Sequence, residues 1–504
     1  MIYLDHNATT PVAPEVLEAM MPYLTAEWGN PSSSYHFGAK LKGAIETARA
    51  QVAELIGASG REIIFTSCAT ESNNAAIQAA LRANPGKRHI ITSAVEHSSV
   101  LNYCRALEGH HEWTLIHTKQ PHAATKRRGG AQEAANIPLT RPADTLSPSD
   151  GERAGRGGVF RVTYLPVDRD GLLKLADVEN AITDDTAVVS LMWANNETGV
   201  LFPVKEIAEI CRARGVLFHC DAVQAAGKVE IDVRQVQADY LSLTGHKFHA
   251  PKGVGALYVR RKAPFSPLIH GGHQERSLRG GTESVPLIVG LGKAAELARK
   301  QLPDFERKVR PLRDALEEGI LGRPLPPNPV VGQASCLSGG TAKLALDSHP
   351  MDASPDRRDA CPTTASALRF GGSKRELLVG RILTPSLSPG GGEGARRTRE
   401  GAGIPNTELN GHPTHRLANT TNITFHGVES EALLILLDQA GICASSGSAC
   451  LADSDDPSHV VKAMKPESAA SRQMIRFSLG LENTATDVKA ALSAIARAVS
   501  MLRS

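Results

Sequence analysis

The sequence predicts an α/β fold, with a mostly parallel sheet covered by helices on both faces and a smaller C-terminal α/β unit. The first observation behind this is alternation. Short apolar, β-branched runs trade places with longer helical patterns over most of the chain, as repeated strand–helix–strand units require. The second is composition: 504 residues, 41% of them hydrophobic, can bury sizeable cores and have room for two or three domains. The third is the strand-like run Asn419–Phe425, which opens a smaller unit ending in a helix over Thr486–Leu502.

In chain order, strands are expected at Glu62–Thr66, His89–Ser93, Ala187–Trp193, Val216–Cys220, Tyr240–Leu243 and Gly255–Val259, with helices such as Ser72–Ala83 and Val204–Arg214 between them. Two stretches, about 110–160 and 323–403, break the pattern. Both are rich in Pro, Gly, Ser and Arg and lack sustained periodicity. Leu146–Arg156 and Leu387–Arg397 are identical at seven of eleven positions, which points to one low-complexity element inserted twice. Two copies so far apart do not make a solenoid; long surface loops or disorder are expected.

Lys and Arg number 56 against 53 acidic residues, so nothing marks a polyanion as the main partner, and no nucleic acid is expected. No run of eighteen apolar residues exists, so no membrane span is expected. The opening residues carry neither the basic start nor the apolar stretch of a signal peptide. The eight cysteines are scattered without a CxxC pair, which fits reduced thiols in the cytoplasm better than a metal knuckle or disulfide framework.

Five segments carry chemistry. In Glu62-Ile-Ile-Phe-Thr-Ser-Cys-Ala-Thr-Glu-Ser-Asn-Asn-Ala-Ala-Ile77 an apolar strand runs into small hydroxyl residues and a helix. The free amides of that helix start, with Thr70 beside them, suit a phosphate, although Thr-Glu-Ser is also an ordinary N-cap. Trp193-Ala-Asn-Asn-Glu-Thr-Gly199 follows another apolar strand. In Phe218-His-Cys-Asp-Ala-Val-Gln224, Asp221 falls at a strand's carboxyl end, where open α/β sheets bind ligands. An acid there can keep a pyridine nitrogen protonated, or simply cap a turn. In Asp239–Gly255 a strand delivers Lys247 into a Gly/Pro-rich turn, a dry and fixed setting that suits a Schiff-base lysine. In Gly441-Ile-Cys-Ala-Ser-Ser-Gly-Ser-Ala-Cys-Leu451 a run of small residues precedes Cys450, as a nucleophile on a mobile loop would need; most free cysteines, however, are buried and inert.

In this order and spacing the segments resemble the cysteine desulfurases of the NifS/IscS type, within the class V aminotransferase family. Tyr3-Leu-Asp-His-Asn-Ala-Thr-Thr-Pro11, Glu96-His97, Gly271–Thr282 and Arg476-Phe-Ser-Leu-Gly480 extend the resemblance over nearly the whole chain outside the two odd stretches. The resemblance implies a pyridoxal-phosphate-dependent transferase fold. Its large domain would span 16–265, with a seven-stranded, mostly parallel sheet interrupted by the insertion at about 110–160. Its small domain would combine 1–15 with 266–504, interrupted at about 323–403.

The resemblance also implies roles. Lys247 would carry pyridoxal 5′-phosphate as a Schiff base, His97 would stack on the ring, Asp221 would pair with its nitrogen and Gln224 would reach its phenolic oxygen. Ala69, Thr70, Thr244 and His246 would hold the phosphate, with Thr282 arriving from the other subunit of a homodimer. Asn196 and Arg476 would grip the carboxylate of L-cysteine. Cys450 would attack the substrate sulfur, leaving alanine and a persulfide for a sulfur-accepting scaffold or carrier protein. A metal role is implied for Cys450 at most as a transient iron–sulfur ligand. Cys68 stands where the family favours glycine, and Thr244 where serine is common. The sequence stops at Ser504, without the longer tail by which housekeeping members touch their scaffold, and Trp193–Gly199 leans toward the nitrogen-fixation branch. A selenocysteine lyase or another class V enzyme would keep the lysine and aspartate but differ at the thiol loop. A non-catalytic scaffold disabled by its insertions is the remaining alternative.

Overall fold

The structure is a computed structural model and describes residues 1–109, 159–323, 403–447 and 456–504. The two low-complexity stretches and Cys450 therefore lie outside the described residues. Strand β1 (Ile2–Tyr3) opens the chain. The main sheet has seven strands: β2 (Ile63–Thr66), β3 (His89–Ser93), β4 (Arg161–Leu165), β5 (Thr186–Met192), β6 (Leu217–Asp221), β7 (Tyr240–Thr244) and β8 (Gly255–Val259). They are ordered β2-β8-β7-β6-β5-β3-β4, and only β8 runs against the others. Burial explains their sequences: β2, β3, β5 and β7 are buried at every position, so each reads as a continuous apolar or small-polar run rather than an alternating one.

The described helices of ten or more residues are α1 (Pro14–Thr25), α2 (Leu41–Leu55), α3 (Ala69–Ala83), α4 (Ser98–Leu107), α5 (Val204–Ala213), α6 (Val285–Leu321), α7 (Ser430–Gln439) and α8 (Ala485–Arg503). A second sheet joins β9 (Thr407–Leu409), β10 (Thr420–Phe425) and β12 (Met474–Ser478) in antiparallel order, while β1 pairs in parallel with β11 (Ile442–Cys443). Helix α6, about 55 Å long at the usual rise, ties the cores together. Its Ile288, Leu291, Ala294 and Ala295 pack under the main sheet; its Phe305, Val309, Leu316 and Ile320 pack with Ile423, Phe425 and Phe477. Pro303 lies where the buried face passes from one core to the other, a place where a helix tolerates losing one backbone hydrogen bond.

Two histidines bridge neighbouring strands inside the main sheet. His89 reaches Thr186 Oγ1 and Thr163 Oγ1 at 2.8 Å each; His219 reaches Ser190 Oγ at 2.8 Å and Ser242 Oγ at 2.9 Å. Burial, then Arg161, lowers His89 to about 4, and burial alone lowers His219 to about 3. Both rings fold neutral, whereas an unfolded histidine takes up a proton below about 6.5. Stability carried by these histidines is present above that value and is lost as pH falls toward 4. Glu96, raised by burial to about 8, acts in the opposite sense, but it is one group against two. The melting temperature of the protein should therefore fall between pH 6.5 and 4.5; equal stability at both would contradict this.

Candidate active site

The parallel strands all end at one edge of the main sheet, and the turns beyond them carry the polar residues. Asp221 closes β6 and is 5% exposed. Its Oδ1 accepts from the Val223 amide at 3.0 Å and its Oδ2 from Asn73 Nδ2 at 2.8 Å. Asn73, buried in α3, gives its other hydrogen to Ser99 Oγ at 2.8 Å. Ser99 in turn meets His97, the N-cap of α4, whose Nδ1 accepts from the Ser99 amide at 3.1 Å. With Nδ1 an acceptor, the neutral ring carries its proton on Nε2. Beneath His97, Glu96 Oε1 accepts from Ser93 Oγ and the Met192 amide, tying the ends of β3 and β5. Its Oε2 has no partner among the described residues, consistent with an acid pushed up to about 8 by burial.

The turn after β7 holds His246 and Lys247. Lys247 Nζ donates to the Asn7 and Ala8 carbonyls at 2.7 Å each, and the Thr10 amide donates to the His246 carbonyl, so the N-terminal segment lies across the turn. Burial, then Lys247, holds His246 down to about 4. The Gln224 amide donates to the same Asn7 carbonyl at 2.9 Å. On the other side of Asn7, its side-chain amide reaches the Asn196 carbonyl at 3.2 Å, which also accepts from Arg476 Nη1 at 3.0 Å. Arg476, on β12 and 1% exposed, also bonds the Gly447 carbonyl at 2.8 Å and Asp5 Oδ1 at 2.5 Å.

Several features leave room for a ligand. Arg476 Nε and Asn196 Oδ1 are buried and unpartnered among the described residues. Arg476 Nε is a cationic donor in need of an acceptor, and Asn196 carries an amide whose orientation a carboxylate would decide. Helix α3 starts without a side-chain cap at Cys68, leaving its first-turn amides, including those of Ala69 and Thr70, for an anion. Asp221, a carboxyl bedded on two donors, is a suitable partner for a ring nitrogen. The residues thus fit pyridoxal phosphate and a carboxylate-bearing substrate.

The structure brings Ala69, Thr70, His97, Asn196, Asp221, Gln224, Thr244, His246, Lys247 and Arg476 to this one edge. Thr244 Oγ1 is turned to the Val254 carbonyl at 3.3 Å. Thr282 is exposed, on a loop just beyond Gly281. Cys450 falls outside the described residues, though Gly447, which precedes it, touches Arg476. Asp5, Asn7 and Asn73 join the candidate site and Lys228 stands behind it on Gln224 and Asn7, and none of the four was expected from the sequence. Asn7 and Asp5 lie in the opening motif, and Asn73, with Ser72, is one of two polar residues among the otherwise apolar buried positions of its helix. Among the described residues, no group of three or more His, Cys, Asp or Glu is placed to hold a metal, and no helix is long and apolar enough to cross a membrane.

A family model described as aminotransferase class-V matches residues 2–125, 152–335 and 400–491. A protein of Trichormus variabilis named cysteine desulfurase 2 is 41% identical, over 100% of this chain and 94% of its own. The cysteine desulfurase NifS of Azotobacter vinelandii is 36% identical, over 100% of this chain and 93% of its own. Among solved structures, a NifS-like protein superposes with a TM-score of 0.69 at 28% identity, covering 99% of each chain.

Proposed function

Because the chain belongs to the aminotransferase class-V family, and within it to the cysteine desulfurases, we propose that it converts L-cysteine to L-alanine, with pyridoxal phosphate held on Lys247 and the sulfur taken up by Cys450. The observation that carries this reading is the position of Asn7. Its carbonyl holds Lys247 and Gln224, and its side chain holds the Asn196 carbonyl on which Arg476 also closes.

When bound, pyridoxal phosphate supplies an electron sink conjugated to the substrate's α-carbon. Asp221 would keep a proton at the ring nitrogen, and His97 would cover the ring. The first-turn amides of α3, with Thr70, Thr244 and His246, would hold the phosphate. Arg476 and Asn196 fix the substrate carboxylate, a charge-assisted contact that orients the α-carbon. Lys247, as the amine nearest that carbon in this reading, moves its proton. The Cys450 thiolate then attacks the substrate sulfur. A sulfur–sulfur bond forms and the carbon–sulfur bond breaks. That electron pair stays on carbon, where a proton completes the methyl group of alanine, and Cys450 is left as a persulfide.

The persulfide would pass to an acceptor protein for assembly of iron–sulfur clusters or other sulfur-containing cofactors. Free thiols at Cys68, Cys104, Cys211, Cys220 and Cys443 support a cytoplasmic setting. The purified chain, supplied with pyridoxal phosphate and a thiol reductant, should release alanine and sulfide from L-cysteine one for one. Alanine from selenocysteine but not from cysteine would overturn the reading.

The enzyme would act as a homodimer, with the exposed Thr282 completing the partner's phosphate site. Lys247→Ala and Thr282→Ala chains, each impaired alone, should recover activity when mixed under exchange, since a mixed dimer has one intact site. A fully active monomer by light scattering would contradict this.

A further inference from the structure

We infer that Lys228 is a positioning residue that turns the Gln224 amide so that its NH2 group faces the cofactor site. The inference rests on the proposed function, because Gln224 matters only if a ligand's oxygen stands beside it.

Lys228 follows β6 and is 6% exposed. Its Nζ donates to Gln224 Oε1 at 2.6 Å and to Asn7 Oδ1 at 3.0 Å. The Asn7 amide cannot turn to meet it differently. Asn7 Nδ2 is committed to the Asn196 carbonyl at 3.2 Å and Thr420 Oγ1 at 2.9 Å, and Asn7 Oδ1 also accepts from Asn419 at 3.1 Å. Lys228 is therefore faced by two oxygens, and its amine answers both. Burial, then Lys247 and Arg476, hold that amine well below the usual lysine range. Even uncharged it has two hydrogens, one for each oxygen.

With Oε1 taken by Lys228, the Gln224 nitrogen stands at the other end of the amide. Nε2 gives one hydrogen to the Asn7 carbonyl at 2.9 Å, the oxygen that also receives Lys247 Nζ at 2.7 Å. Its second hydrogen has no acceptor among the described residues. Flipped, the amide would set its NH2 against Lys228 and its oxygen against the Asn7 carbonyl, leaving two buried mismatches. Lys228 thus fixes, from outside the site, which end of Gln224 a ligand meets. A donor beside the phenolic oxygen of pyridoxal phosphate favours the anion there and lowers the proton affinity of the conjugated nitrogen. Losing that donor should raise it.

The test is a double-mutant cycle on the full chain loaded with pyridoxal phosphate, reading cofactor affinity and the pH midpoint of its visible band rather than turnover. Lys228→Met should weaken cofactor binding about tenfold and raise the midpoint by about one pH unit. In a Gln224→Ala background the same change should add no further shift. Lys228→Gln, which keeps a donor but no charge, should retain the wild-type midpoint, and it decides the matter alone if Lys228→Met does not fold. Equal displacement in both backgrounds, or a Lys228→Gln midpoint displaced from wild type, would assign the effect to charge or packing and overturn the inference. A wild-type chain that took up no pyridoxal phosphate would instead overturn the proposed function, and this inference with it.

Discussion

Lys247→Ala is expected to give a folded protein that no longer holds its cofactor covalently and turns over cysteine at least about a thousandfold more slowly. The reason is geometric. Lys247 Nζ is presented at the strand-end edge by two carbonyls, those of Asn7 and Ala8, and the nearby alternative is already engaged. Lys228 is buried behind Gln224 and bonded to it. Lys252 lies farther along the same turn. Borohydride reduction of the wild-type protein loaded with pyridoxal phosphate should therefore fix the cofactor to the peptide that contains Lys247. Label on Lys228 or Lys252 would show that the turn after β7 has been misread. The substitution itself removes no core packing, so the melting temperature of the cofactor-free protein should change little.

Cys450→Ser should have an equally large effect on sulfide release while leaving cofactor binding and cysteine binding in place. A hydroxyl is a far weaker nucleophile than a thiolate toward sulfur at neutral pH. Cys443 provides the internal control. It lies in β11, where its carbonyl accepts from the Leu4 amide at 2.9 Å and its backbone pairs with Tyr3. That role is one any residue can fill through its main chain, so Cys443→Ser should keep most of its activity. An inactive Cys443→Ser with an active Cys450→Ser would move the nucleophile.

Most strands of the main sheet were legible because they are short, wholly or largely buried runs, and such runs look alike in sequence and in structure. His89–Ser93 and Gly255–Val259 coincide with the expected spans, and Asp221 closes β6 one residue beyond the expected end. Strand β4 was harder to see: Arg161–Leu165 lies at the sheet edge with a mostly part-exposed surface, so its apolar signal is weak. A connecting helix ending near Ile320 was legible from the sequence, and α6 ends at Leu321 even though Pro303 and Pro311 in isolation read as helix stops. Of the site, the groups with distinctive chemistry were visible, namely Lys247, Asp221, His97 and Arg476. Their supports were not. Asn73 meets Asp221, Asp5 meets Arg476, and Lys228 meets Asn7 only because distant segments are folded together. No local periodicity expresses a hydrogen bond between the two ends of a chain.

If sulfur leaves the substrate onto Cys450, a single turnover reports it directly. The wild-type protein, loaded with pyridoxal phosphate and given one equivalent of L-cysteine without reductant, would be digested and its peptides weighed and fragmented. One extra sulfur atom is expected on Cys450, together with one alanine, and none on Cys443 or Cys68. Alanine and free sulfide formed with no protein-bound sulfur, or the extra atom found on another cysteine, would contradict transfer onto Cys450.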